Sequence, residues 1–143
     1  MSADLHELYR ELIVEHSKRP RNFRALGGQT RKAASYNPLC GDRVTVYADV
    51  SSGVLKDVTF QGSGCAICMA SASLMTEALT GLSEAEAMLR CEGFCQLVTT
   101  GAASCAVALG DLAAFASAHK FPSRIKCALL AWRTLEAALQ GEV

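Results

Sequence analysis

The chain has 143 residues, with 14 Lys and Arg against 14 Asp and Glu and therefore a formal net charge of zero. At that length one compact domain over residues 1–143 is expected, burying about 70% of the surface that the unfolded chain exposes; the balanced charge argues against a nucleic-acid binder, which needs a basic excess to neutralise phosphates. Met1-Ser2-Ala3-Asp4-Leu5-His6-Glu7 lacks the basic start and apolar run of a signal peptide, and no window reaches the roughly 18 apolar residues of a membrane span, so a soluble cytoplasmic protein with no membrane partner is expected.

Leu5, Leu8, Tyr9, Leu12 and Ile13 recur at helical spacing, and Asp4 with Glu7 reads as a capping box, which predicts a first helix running to about Lys18. Arg19-Pro20-Arg21-Asn22 stops it, and an irregular connector containing Gly27-Gly28 leads to Tyr36-Asn37-Pro38. From Arg43 to Val50 the apolar Val44, Val46, Ala48 and Val50 alternate with Thr45, Tyr47 and Asp49. Val58 and Phe60 resume the alternation after Ser51-Ser52-Gly53, so a half-buried β-hairpin is predicted. A short strand over Ala33–Tyr36 would complete a three-stranded antiparallel sheet.

The remainder reads as helix. Cys68–Thr80 forms one, ended by Gly81, and Ser83 with Glu86 caps a short second one that Gly93 ends. Residues 102–118, with eight alanines, predict a third. The last is expected to start at the N-cap Ser123, just after Pro122, with Ile125, Leu129, Trp132, Leu135 and Leu139 on its inner face. Strands grouped before helices point to an α+β fold, a small antiparallel three-stranded sheet with helices packed on one face.

Seven cysteines make up about 5% of the chain, below the level of about 8–10% that marks a disulfide scaffold, and their number is odd. In a reducing compartment this favours metal binding or thiol chemistry. Cys40 falls in the turn Asn37-Pro38-Leu39-Cys40-Gly41-Asp42, Cys65 follows Gly62-Ser63-Gly64 at a helix entrance, and Cys127 falls in the first turn of the last helix. The latter two positions favour a thiolate and a lowered pKa. Together with Asp42, the three thiolates make a four-ligand set that suits tetrahedral zinc. Such a site carries an excess of negative charge that Arg43, Arg124 and Lys126 are placed in sequence to offset.

At these residues a family becomes visible. Asn37-Pro38-Leu39-Cys40-Gly41-Asp42-Arg43, Gly62-Ser63-Gly64-Cys65-Ala66-Ile67 with Ala70–Glu77, and Arg124-Ile125-Lys126-Cys127-Ala128-Leu129-Leu130-Ala131-Trp132 resemble the iron–sulfur assembly proteins of the IscU and SufU group, the IscU/NifU N-terminal-like superfamily. The resemblance extends to Leu8-Tyr9-Arg10-Glu11 and Pro20-Arg21-Asn22-Phe23, and it implies a SufE/NifU-like fold. The SufU branch is the nearer one. Lys126 stands where IscU proteins carry a histidine, the interval from Cys65 to Cys127 is long, and Lys120-Phe121-Pro122-Ser123-Arg124 replaces the chaperone-recognition motif of IscU.

That resemblance implies a zinc site of Cys40, Asp42, Cys65 and Cys127, and a sulfurtransferase role as sulfur acceptor for a SufS-like cysteine desulfurase that uses pyridoxal phosphate. Downstream cluster-assembly proteins would take the sulfur next. In the implied mechanism a histidine of the desulfurase takes a coordination place and Cys40 swings free to attack the partner's persulfide. Cys40 is the expected catalytic thiol because a loop ligand leaves more cheaply than one anchored in a helix turn. Arg124 is expected to steady the liberated group. The alternative is a scaffold on which a [2Fe–2S] cluster is assembled, since the same donors can hold iron; a third reading makes zinc purely structural.

Other residues have plainer readings. Cys65-Ala66-Ile67-Cys68 has the spacing of a redox pair, but an antiparallel hairpin lacks the βαβ context of that reading. Cys68 either replaces Asp42 as fourth ligand or sits buried behind the site, the second being favoured. Cys91, Cys95 and Cys105 read as buried or incidental thiols, with Gly93 separating the first two; His6, His16 and His119 read as surface or helix-end residues, and Met69, Met75 and Met88 need no cofactor to explain them.

Overall fold

The structure is a computed structural model and describes residues 3–28, 30–102 and 109–141, the side chains of residues 3–6 excepted. In β2 (Asp42–Ser51) every second side chain is buried, from Asp42 through Val44 and Val46 to Ala48, while Arg43 and Asp49 face solvent. One dry and one wet face is the mark of an antiparallel sheet covered on a single side. β1 (Arg31–Asn37) and β3 (Val54–Ser63) flank it in the order β1-β2-β3, both antiparallel. Ser52 and Gly53 connect β2 to β3 with φ of 54° and 75°, the paired positive values whose twist matches that of a hairpin. The three-stranded antiparallel sheet and the α+β class predicted from the sequence are the ones observed, with β1 longer than the stretch 33–36.

α2 (Ala66–Leu79) and α4 (Pro122–Leu139) lie against the sheet, and Val46, Val58 and Phe60 share one core with Met75, Leu79, Trp132 and Leu135. α2 is buried almost all round, so its polar side chains must find partners inside. Ser71 does so twice: its Oγ donates to the Ala128 carbonyl at 2.6 Å and accepts from Trp132 Nε1 at 3.0 Å. Trp132 also stacks on Phe94, centroids 4.2 Å apart, which ties α3 (Glu84–Thr100) to the same core. α1 (Ala3–Lys18) packs across α2, and a 3-10 helix (Gly110–Lys120) leads into α4. Among the described residues no helix is long and apolar enough to cross a membrane.

Several boundaries differ from the sequence reading. α1 already begins at Ala3, so Asp4 lies inside it rather than at its cap. Leu8 is 61% exposed, while Tyr9, Leu12 and Ile13 make the packed stripe. α2 starts at Ala66 because Cys65, not a residue further on, is its cap. Ser83 does cap α3, accepting from Glu86 N–H at 3.1 Å, but the helix runs through Gly93 to end at Gly101. A glycine inside a helix costs about 1 kcal/mol relative to alanine, less than the burial of Phe94, Leu97 and Val98 beyond it returns. Of the helix expected over 102–118, residues 103–108, Cys105 among them, lie outside the described residues, and the described remainder is 3-10 from Gly110. α4 begins with Pro122 at its first turn and Phe121 at the cap, so Ser123 is helical and does not cap.

His16 is not a surface residue. It closes α1 but is 4% exposed, its Nδ1 2.7 Å from Ser73 Oγ, which also accepts Arg21 N–H at 2.8 Å. His119, at the end of the 3-10 helix, is exposed, and the His6 side chain lies outside the described residues. Burial above all, then the Arg21 guanidinium, holds His16 below its ordinary 6.5, opposed by Glu77, Asp111 and Glu15. The unfolded chain therefore takes up this proton first, and the contribution of neutral His16 is complete above about pH 6.5 and lost as pH falls below it. Urea unfolding of the wild type and His16→Gln is expected to show a stability gap that narrows from about pH 7.5 to about pH 5.5; a gap that stays constant or widens would contradict this account.

Candidate metal centre

β1 and β2 are joined by residues 38–41, and Asn37 closes that turn. Its carbonyl accepts Cys40 N–H at 3.3 Å and Gly41 N–H at 2.8 Å, and its side-chain Oδ1 accepts Leu39 N–H at 3.2 Å. Gly41, at φ 72°, takes the left-handed conformation that the turn needs. Cys40 is thereby held out in an exposed position at the tip. Asp42 follows as the first inward residue of β2 and is fully buried.

The end of β3 brings in the next sulfur. Ser63 pairs with Arg43, so the chain leaving β3 passes directly over Asp42. Two glycines permit the approach: a Cβ on Gly62 would overlap the Arg43 carbonyl oxygen, and one on Gly64 would stand 2.5 Å from Asp42 Oδ1. Cys65 N–H then donates to Asp42 Oδ1 at 2.9 Å, and its Sγ lies 4.0 Å from Asp42 Oδ2 while accepting Cys68 N–H at 3.4 Å to cap α2. Cys127 comes from α4, in its second turn because the helix starts at Pro122. It is 4% exposed, packs with Val44 and Cys68, and has its Sγ 3.4 Å from that of Cys40.

Cys40, Asp42 and Cys127 have donor atoms within 4.8 Å of one another, and Cys65 adjoins them through Asp42. Donors around one zinc at about 2.0–2.3 Å stand roughly 3.5–4 Å apart, so the observed 3.4 and 4.0 Å separations suit such an ion. The chemistry of the set agrees: four acidic groups this close repel one another when ionised, and a divalent cation is what would let them ionise together. The Cys127 thiol expresses that conflict. Burial first, then contacts with Asp42, Cys40 and Cys65, push it well above the ordinary cysteine range. This reverses the lowering expected from a helix start, since Cys127 lies beyond the first turn and away from water.

The expected charge-balancing residues sit differently from a direct pairing. The Arg43 guanidinium lies over the Tyr36 ring at 5.2 Å and that of Arg124 over Phe121 at 4.3 Å, with Lys126 exposed; among the described residues none of the three forms an ion pair with Asp42. Cys68 is fully buried behind the cluster, where burial raises its thiol to about 12. Cys91 is a core thiol, likewise raised to about 12 by burial. Cys95 shares α3 with it through the uninterrupted Gly93 turn and accepts from Arg133 Nη2 at 3.1 Å. Sequence reasoning assigned no task to Asn37 or to Gly64. An Asn before Pro at a strand end is a turn signal that could have marked the first; the second needs the crossing over Asp42, which only the fold reveals.

The NifU-like N terminal domain model matches residues 8–128, a span that includes Cys40, Cys65 and Cys127. The chain belongs to the NifU-like N-terminal domain family. Among members, the zinc-dependent sulfurtransferase SufU of Bacillus subtilis (strain 168) is 37% identical, over 99% of this chain and 95% of its own. The iron–sulfur cluster assembly scaffold protein IscU of Streptococcus pyogenes serotype M1 is 35% identical, over 96% and 86%. A crystal structure described as an iron–sulfur cluster assembly scaffold protein for the SUF system, from Fervidobacterium islandicum AW-1, superposes with a TM-score of 0.85 at 33% identity, over 94% of this chain and 98% of that one.

The Gly64 approach gives a direct test of how this NifU-like domain builds its centre. Gly64→Ala should push the Cys65 segment off Asp42 and lower zinc affinity at least about tenfold, the scale of a moderate overpacking cost, whereas Gly27→Ala, with open space around its Cβ, should leave it unchanged. Competition titration against a chromophoric chelator measures both, and equal affinities would remove the crowding at Asp42 from the account.

Proposed function

We propose that this chain is a zinc-dependent sulfurtransferase, a single domain that accepts persulfide sulfur from a cysteine desulfurase and passes it towards iron–sulfur cluster assembly. Its metal ligands in this reading are Cys40, Asp42, Cys65 and Cys127, and Cys40 is the catalytic thiol. The observation that carries the reading is the contrast within one cluster: Cys40 is exposed on a turn, 3.4 Å from the buried Cys127, whereas Cys65, though also exposed, is tied into the cap of α2. Support for zinc and sulfur transfer over a permanent cluster comes from the likeness along nearly the whole chain to the SufU named above, and from Lys126 in the place of a histidine.

Bound zinc would supply a redox-inert positive charge that keeps the three thiols deprotonated at neutral pH. The residues of the chain divide the remaining work. Cys65 is committed to the α2 cap and Cys127 to the core, so neither can move without breaking a helix start or opening the packing. Among the described residues the Cys40 sulfur has a hydrogen-bond partner only in Cys127, and the residue rides on a short turn that can shift. Its thiolate attacks the outer sulfur of the partner's persulfide. A bond forms between Cys40 Sγ and that sulfur as the partner's S–S bond breaks, and the electron pair leaves with the partner's cysteine thiolate, so no oxidant or reductant is consumed. Asp42, already accepting Cys65 N–H, keeps the Cys65 segment in place while Cys40 moves.

The scaffold reading keeps one specific support: three sulfurs and a carboxylate can also hold iron, and the Streptococcus relative bears a scaffold name. Desulfurase turnover on cysteine under a thiol reductant separates the two. The zinc-loaded protein is expected to accelerate it severalfold, Cys40→Ser to return it to the rate without the protein, and Asp42→Ala to weaken zinc binding at least about tenfold, as large as the losses from removing even outer partners of a metal site. No acceleration with zinc bound would favour the scaffold, to be pursued by anaerobic iron and sulfide reconstitution.

A further inference from the structure

The amide of Asn37 is satisfied at one end only. Its Oδ1 accepts Leu39 N–H, which assigns the oxygen and nitrogen ends of the amide, while Nδ2 is sealed from solvent with no acceptor within hydrogen-bond reach among the described residues. The residue is 8% exposed. A buried donor without a partner is rare in a folded protein because desolvation is then uncompensated. Its position says which acceptor is meant. Asn37 is the cross-strand partner of Asp42, and partners across an antiparallel pair project from the same face of the sheet. That face is the buried one that Asp42 shares with Val44 and Val46, while the neighbouring pair, Tyr36 and Arg43, meet on the opposite face. Asn37 also grips the backbone of Cys40 through its carbonyl. An unused N–H group thus belongs to the sheet face that carries Asp42, at the base of the turn that carries Cys40.

We infer that the Nδ2 amide of Asn37 is the donor for anionic sulfur at the Cys40–Cys127 pair, the thiolate before transfer and the persulfide after it. An amide suits this task because it stabilises negative sulfur without carrying a charge that would compete with a metal for the carboxylate or the thiolates. The persulfide half of the inference rests on the sulfur-acceptor reading above; the thiolate half needs only the cluster. In this scheme one residue has two duties, Oδ1 shaping the turn and Nδ2 holding its cargo.

Two substitutions in the full-length zinc-loaded protein divide those duties. Asn37→Asp and Asn37→Ser both keep a side-chain oxygen for Leu39 N–H and both lose the amide donor, but only the first adds charge. Persulfide is installed with glutathione persulfide and its decay on Cys40 followed by mass spectrometry, zinc release to pyridylazoresorcinol is timed in parallel, and melting temperature is recorded for each protein. Both variants should melt close to wild type, yet lose persulfide about tenfold faster and release zinc faster. Faster zinc release with unchanged persulfide decay would support the thiolate half and remove the persulfide half. An effect in Asn37→Asp alone would be charge repulsion, wild-type behaviour in both variants would leave the amide idle, and a loss that tracks a lowered melting temperature would reduce Asn37 to a turn former; each of these overturns the inference. Should the wild type acquire no persulfide at all, the sulfur-acceptor reading fails, and zinc release alone then decides whether Asn37 serves the thiolates. Should Asn37→Asp not fold, Asn37→Ser carries the test.

Discussion

The fold turns on one fully buried carboxylate. Asp42 opens the central strand on its dry face, among Val44 and Val46, where an isolated charge would be expelled at large cost. It is tolerated because the surroundings converge on it: Cys65 N–H on one oxygen, Cys65 Sγ near the other, and Cys127 beside it in the cluster. The convergence in turn dictates local chain geometry. Glycines must stand at 62 and 64 so that β3 can hand the chain over Asp42, α2 must start where Cys65 caps it, and α4 must press its second turn against the sheet. A pair of helices packed around Trp132 and Ser71 holds that arrangement from behind.

Within the cluster, mobility is distributed unevenly. Cys127 is locked by the core and Cys65 by a helix cap, whereas Cys40 hangs on a turn of which one residue is a glycine at positive φ. An ion held by such a set would rest on two fixed sulfurs and a fixed carboxylate, with the third sulfur the cheapest to move. Uneven anchoring of this kind is what a transfer site requires and a purely structural zinc site does not. Exposure does not separate Cys40 from Cys65, which is exposed at its helix cap; what sets Cys40 apart is its place on a hairpin turn, since loops supply displacement at low cost on a rigid frame.

Much of this was legible in the residues themselves. Alternation from Val44 to Val50 is a local signal and yielded the sheet; Ser83 and the stripe ending in Leu139 yielded two helices in the same way. The errors arose where tertiary burial overrode a local rule. Gly93 reads as a stop but is carried through by the burial of Phe94, Leu97 and Val98, and His16 reads as polar but is drawn into the α1–α2 contact by Ser73. For the candidate site, the motifs nominated Cys40, Asp42, Cys65 and Cys127 and the fold brings them together, yet no spacing rule spans the interval between Cys65 and Cys127. The turn-forming part of Asn37 carries a local signal in the Asn-Pro pair, whereas its unused amide and the close approach at Gly64 depend on what stands across the sheet and have none.

The central claim is that sulfur lands on Cys40. A single turnover between a persulfide-charged cysteine desulfurase and the zinc-loaded protein, followed by peptide mapping under non-reducing conditions, tests it most directly. The account predicts one additional sulfur atom on the peptide containing Cys40 and none on those containing Cys65 or Cys127. Sulfur on either of the anchored cysteines, or on no cysteine of this chain while the desulfurase remains charged, would contradict it.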